Sequence, residues 1–218
     1  MLSYTNDQRR KTPINQLYKI IENLKQNKPE MTDIEIEQDG NKLILSVSKD
    51  YLSINGIRLS LFPKTAQTIA DHYNCILPTP KIVDLIWENA DIHLEPKTIS
   101  SNRGSVDTLV YHNSFIEQGL IGRSFNLIAG HKKDIVISAE KWKKGKVTIY
   151  GWHKLNGEAI QTVSSIHSES YKDYSHGTRL ISRKCILNGV GMDIWDVLNG
   201  DMHGLLSDEG KVSIRGYK

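Results

Sequence analysis

Apolar positions recur with two periods in the first third of the chain. Ile14, Leu17, Ile20, Ile21 and Leu24 follow helical spacing, and Thr12-Pro13 ahead of them is a cap followed by proline at the first helical position. This predicts an amphipathic packing helix to about Asn27. The period then drops to two. Ile34-Glu35-Ile36-Glu37 alternates, Asp39-Gly40 supplies a turn, and residues 43–47 alternate again, which predicts a hairpin. Residues 51–54, Asn55-Gly56 and residues 57–62 repeat the pattern, so a small antiparallel sheet is expected here.

Helical spacing returns after Pro63, with Thr65 as the expected cap and Ala66, Ile69, Ala70 and Tyr73 on one face. In Leu77-Pro78-Thr79-Pro80, Thr79 is the expected cap and Pro80 the first helical residue of an apolar helix to about Ala90. Residues 95–105 read as a loop and residues 107–118 as another helix. Strands are expected at 125–129, 135–138, 147–150, 160–163, 180–181 and 185–187, then a helix over 192–198. The fold class is therefore α+β: an N-terminal helix and hairpins, central helices, and a C-terminal, mainly antiparallel β-sheet or barrel-like core. Residues 1–60 are expected as a helix-and-hairpin appendage and 61–218 as the α+β core that carries the site.

Composition narrows the function classes. The 218 residues are 39% hydrophobic and 24% charged, ordinary for a soluble globular chain. A formal charge of +3 does not favour nucleic acid as the partner. Two distant cysteines, Cys75 and Cys185, make no disulfide framework, and C-x-x-C and H-E-x-x-H spacings are missing, so no metal and no cofactor is expected. No run approaches the ~18 apolar residues of a spanning helix. The first residues lack the apolar stretch of a signal peptide, so synthesis in the cytoplasm is expected, with action on the envelope only after release.

The chemistry concentrates late in the chain. Residues 164–182 form a polar run holding His167, Asp173, Ser175, His176 and Arg179. Gly130-His131-Lys132-Lys133-Asp134 and Tyr150-Gly151-Trp152-His153 adjoin other strand-like runs. Neighbouring strands would bring these polar ends into one cleft. Histidine titrates near neutral pH and moves protons. His167 or His176 is the expected acid/base and Asp173 its orienter. Ser175 is a candidate nucleophile with His167 or His153 as base, because adjacent strand residues point to opposite faces and His176 cannot serve it; a histidine-activated water is the equal alternative. His131, Lys132, Lys133, Arg179, Trp152 and Tyr174 are the expected substrate-binding set, with the cations suited to an anionic group. His72, His93, Trp87, Trp195 and Trp142 read as surface or packing residues.

Ser175-His176-Gly177-Thr178-Arg179-Leu180 resembles the S-H-G-C-[IV]-R-[LM] signature of YkuD-type L,D-transpeptidases, and Ile166-His167 resembles the I-H-G element that accompanies it. The resemblance covers about residues 147–187 and implies a β-rich enzyme of peptidoglycan cross-links. It departs at the nucleophile: only Thr178 lies between Gly177 and Arg179, where the signature has a cysteine and a second residue. Gly130-His131-Lys132-Lys133-Asp134, Tyr150-Gly151-Trp152-His153, Tyr171-x-Asp173-Tyr174-Ser175-His176-Gly177 and Leu205-Leu206-Ser207-Asp208-Glu209-Gly210 are also similar to motifs of an uncharacterised, often exported bacterial family. That likeness implies a shared fold and a cell-envelope substrate. The reading is a bacterial or phage hydrolase or transferase acting on a peptidoglycan-type polymer. The alternatives are a metal-independent phosphodiesterase or nuclease, and a non-catalytic binding protein.

Overall fold

The computed structural model describes residues 19–24 and 29–217. Residues 19–24 are helical; the rest of the helix expected over 14–27 lies outside the described residues. The first hairpin pairs β1 (Met31–Gln38) with β2 (Asn41–Ser48) in the register that an Asp39-Gly40 turn dictates, Gln38 opposite Asn41. Ile34, Ile36, Leu43, Leu45 and Val47 face inward, as the alternation requires. A small second hairpin, β3 (Ser53–Ile54) and β4 (Ile57–Arg58), closes on Asn55-Gly56, both at positive φ.

Helix α1 (Pro63–His72) begins two residues before the expected Thr65 cap. Pro63 takes the first helical position after an extended Phe62, and Thr65 is buried inside the helix. Strand β5 (Cys75–Ile76) follows. Helix α2 (Pro80–Glu88) starts as expected, with Thr79 Oγ1 accepting from Ile82 N at 3.2 Å. Strand β6 (Ile92–His93) leads to α3 (Val106–Leu120), capped by Ser105, and then to β7 (Ile128–Ala129). Strands β8 (Lys133–Ile135), β9 (Ile149–His153), β10 (Ala159–Ser164), β11 (His176–Gly177), β12 (Ile181–Leu187) and β13 (Val190–Asp193) complete the sheets. Met192, expected in the last helix, is in β13 instead, opposite Cys185. Helix α4 (Ile194–Asn199) starts after Asp193, whose carboxylate caps Trp195 N at 2.9 Å. A 3-10 turn spans His203–Leu205.

The fold is α+β. One sheet runs β1-β2-β12-β13, with β5 also on β12, and all its pairs are antiparallel. The boundary expected near residue 60 runs through it: β2 lies before that point and β12, its hydrogen-bonded neighbour, far beyond it. The second sheet runs β10-β9-β8-β11, and its β8–β11 pair is parallel. Leu43, Leu45 and Val47 of the first sheet share one hydrophobic cluster with Ile135, Val147 and Ile149 around the second. A smaller cluster of Ile92, Leu94, Ile116 and Ile128 seats α3. Cys75 and Cys185 are both buried.

Candidate functional site

Strand β8 lies between β9 and β11, so three motifs separated in the chain become neighbours. Lys133 pairs with both Gly151 and His176; Asp134 pairs with both Tyr150 and Gly177. Paired residues share a face of the sheet and the next pair points the other way. Lys133 and His176 thus share one face, and Asp134 and Tyr150 share the opposite one.

His176 is fully buried, and neither ring nitrogen has a hydrogen-bond partner among the described residues. Tyr171 meets it edge-on, with ring centroids 5.7 Å apart, and stacks face-to-face on His167 at 4.1 Å. Burial pushes the His176 pKa down to about 4; Asp173 opposes this and the Lys133 and Lys132 charges add to it. At neutral pH the imidazole is therefore uncharged, with one lone pair for a proton.

Asp173 is the hub beside it. Its Oδ1 accepts from Ser175 N at 2.9 Å and Ser175 Oγ at 2.5 Å. Its Oδ2 accepts from Arg103 Nε at 3.1 Å, Arg103 Nη2 at 2.7 Å and the Tyr171 hydroxyl at 2.9 Å. Burial alone would raise its pKa; the pull of His176 and the bonds from Ser175 and Tyr171 overcome this and hold the carboxyl well below its ordinary range. This corrects two expectations. Asp173 orients no histidine by a hydrogen bond, because its acceptor directions are filled. Ser175 directs its hydroxyl to that carboxylate rather than to His167 or His153.

Lys133 completes this face. Its ammonium lies 4.9 Å from the centroid of the Trp152 ring, and its side chain makes no ion pair among the described residues. Trp152 holds φ +60 after Gly151 at φ +98. A bulky residue in the left-handed region is strained, and such strain concentrates at functional sites. The two positive φ values also break the pleat. Tyr150 and His153, an odd number of residues apart, both reach Asp84 on α2: the Tyr150 hydroxyl donates to Oδ1 at 2.8 Å, and His153 Nε2 lies 2.8 Å from the same oxygen.

The remaining expected site residues are spent inside the molecule. Arg179 is 1% exposed; its guanidinium donates to the carbonyls of Ser48 and Ile128 and covers the Tyr51 ring, so it braces the core and presents no fork to a ligand. Lys132 is equally buried and donates to the Tyr174 carbonyl at 2.5 Å. Burial brings its pKa down to about 7. His131 Nε2 lies 3.1 Å from Asp50, which Arg58 also pairs at 2.6 Å. Tyr174 is buried, and its hydroxyl exchanges bonds with the backbone of Ile99. None of these four offers the surface contact expected of a substrate-binding residue. The sequence reading missed Arg103, Asp84 and Asp50. Each lies far along the chain from its partner, in a segment without a local motif.

Among the described residues, no three His, Cys, Asp or Glu side chains are grouped to hold a metal ion, and no helix is long and apolar enough to cross a membrane. No protein-family model, curated protein or solved structure matches the chain.

Proposed function

We propose that the protein is a hydrolase or transferase acting on a peptidoglycan-type polymer, with His176 as its acid/base. The observation that carries this reading is the state of the His176 ring: fully buried, uncharged at neutral pH, and unpartnered at both nitrogens. Buried polar groups are nearly always paired, so an unpaired one retained beside a charged hub is a functional-site signature. The likeness of Ile166-His167 and Ser175-His176-Gly177 to the transpeptidase signature supports the polymer class.

In this mechanism a substrate passes the half-buried Tyr171, which meets the ring edge-on and carries His167 stacked on it. The imidazole nitrogen accepts a proton from a water, and the water oxygen attacks the scissile carbonyl. The resulting imidazolium is stabilised by the Asp173 charge across the site. It then returns the proton to the leaving group as the carbonyl–leaving-group bond breaks. A water takes the nucleophile's role in this scheme because Ser175 Oγ is committed to Asp173. An acceptor amine in its place would give transfer by the same proton path.

The test is mass spectrometry of soluble products after incubation with purified peptidoglycan sacculi. New fragments released by the wild type, with masses that fix the bond cut, are the expected result. An unchanged sacculus would overturn the polymer assignment.

A further inference from the structure

We infer that Lys133 and Arg103 form an oxyanion subsite beside His176 that takes a carboxylate or phosphate group of the substrate. Lys133 is 8% exposed, yet among the described residues its ammonium meets no carboxylate, only the Trp152 ring at 4.9 Å. A cation–π contact at this distance offsets only part of the cost of removing an ammonium from water. Such a charge is balanced when an anion arrives.

Arg103 supplies the second arm. Its Nε and Nη2 hold Asp173, and Nη1 has no acceptor among the described residues. Its side chain is 41% exposed, so the free end of the fork is open to solvent. The backbone brings the two arms together: Arg103 Nη2 holds Asp173, His176 N donates to the Asp173 carbonyl at 3.1 Å, and Lys133 pairs with His176 and donates its N–H to the Ser175 carbonyl at 2.7 Å. Asp173 is already paired with Arg103, so the Lys133 ammonium adds a positive charge with no carboxylate of its own among the described residues. An added oxyanion offsets that charge. Guanidinium and ammonium groups both bind such anions through short charge-assisted bonds.

The subsite deepens the reading of His176 as the reacting group, and calorimetry separates the two claims. The titrants are inorganic phosphate, N-acetylalanine and N-acetylalanine amide, each into the wild type, Lys133→Met, Lys133→Arg and His176→Ala. Saturable binding of phosphate or N-acetylalanine, but not of the amide, is expected, and which anion binds names its source. Lys133→Met should weaken that binding at least about tenfold and Lys133→Arg much less. His176→Ala should retain it. The Lys133→Met protein should melt no lower than the wild type, because an unbalanced buried charge has been removed.

Absence of binding to both oxyanions in the wild type, or equal binding by Lys133→Met, overturns the subsite. A lower melting temperature in Lys133→Met without anion binding in the wild type would make Lys133 a packing residue. Release of wall fragments that survives in Lys133→Met but not in His176→Ala would leave the acid/base reading standing and remove the subsite. Anion binding without fragment release would do the reverse.

Discussion

Gly177 lies directly against the ring of Tyr51: a Cβ at Gly177 would meet Tyr51 Cδ1 at 2.5 Å and Cε1 at 2.7 Å. The close approach lets the Tyr51 hydroxyl donate to Asp134 Oδ2 at 2.7 Å, from the face of the sheet opposite His176. Asp134 is fully buried and its pKa is pushed up to about 6 by burial, with Arg179 and Tyr51 opposing. Gly177→Ala is therefore expected to displace the ring and weaken that bond. Overpacking of this kind costs about 1–3 kcal/mol; with the bond disturbed as well, about 3 kcal/mol is expected in urea unfolding. A loss below about 0.5 kcal/mol would show that the ring is free to move.

Asp173 binds Arg103, 70 positions away in the chain, as well as Ser175 beside it. Asp173→Asn removes the charge while keeping the shape. Breaking a buried pair costs about 3–5 kcal/mol, but Arg103 is partly solvated, so about 2 kcal/mol is expected. Arg103→Met in the same background should then cost little more. Fully additive losses in the double-mutant cycle would contradict the pairing.

Stability should fall on mild acidification, and the sign follows from the buried histidines. Burial lowers the pKa of His112 to about 3 and of His131 and His176 to about 4. Unfolded histidine titrates near 6.5, so between about pH 4 and 6.5 the unfolded chain binds more protons. Asp134 acts in the opposite sense, because its folded pKa of about 6 exceeds the unfolded value. Near pH 5.5 the balance is about two protons in favour of the unfolded state, or about 2–3 kcal/mol lost per unit of acidification. Urea titrations at pH 7, 6 and 5 would show this; stability constant across that window would mean that water reaches the three rings.

Lys132 gives a second arm to the same profile. Its folded pKa of about 7 lies far below that of an unfolded lysine, so the unfolded chain binds more protons between about pH 7 and 10. Its contribution to stability therefore rises with pH in that window. Lys132→Met should flatten the alkaline arm and soften the acidic one, because the Lys132 charge helps to depress His112 and His176.

Local rules read the local structure well. Asp39-Gly40 and Asn55-Gly56 marked both early hairpins, and Thr79-Pro80 marked the start of α2, because each depends on backbone geometry within a few residues. Met192 departs from the expected helix because it sits in β13 opposite Cys185 of β12, a tertiary contact that overrides helical spacing. The pairing of β2 with β12 carries no local signal, so the expected boundary at residue 60 cuts across a sheet. At the site, the strand-like runs that end in polar motifs do become neighbours, in register at Lys133, Gly151 and His176, but their histidines do not share one cleft: His131 turns to Asp50 and His153 to Asp84, and Tyr171 links only His167 and His176. The partners were not legible. Arg179 is spent on two main-chain carbonyls, which every residue type supplies, and Arg103 comes from a loop with no motif of its own.

The most direct test of the account is the rate of fragment release from sacculi by the wild type and His176→Ala, with melting temperatures measured on the same samples. General acid–base groups contribute roughly 10²- to 10⁴-fold, so a loss of that size is predicted. The melting temperature should change little, because deleting two unpaired buried nitrogens offsets the cavity left by the ring. An unchanged rate, or a rate lost only together with the fold, would contradict the assignment of His176 as the acid/base.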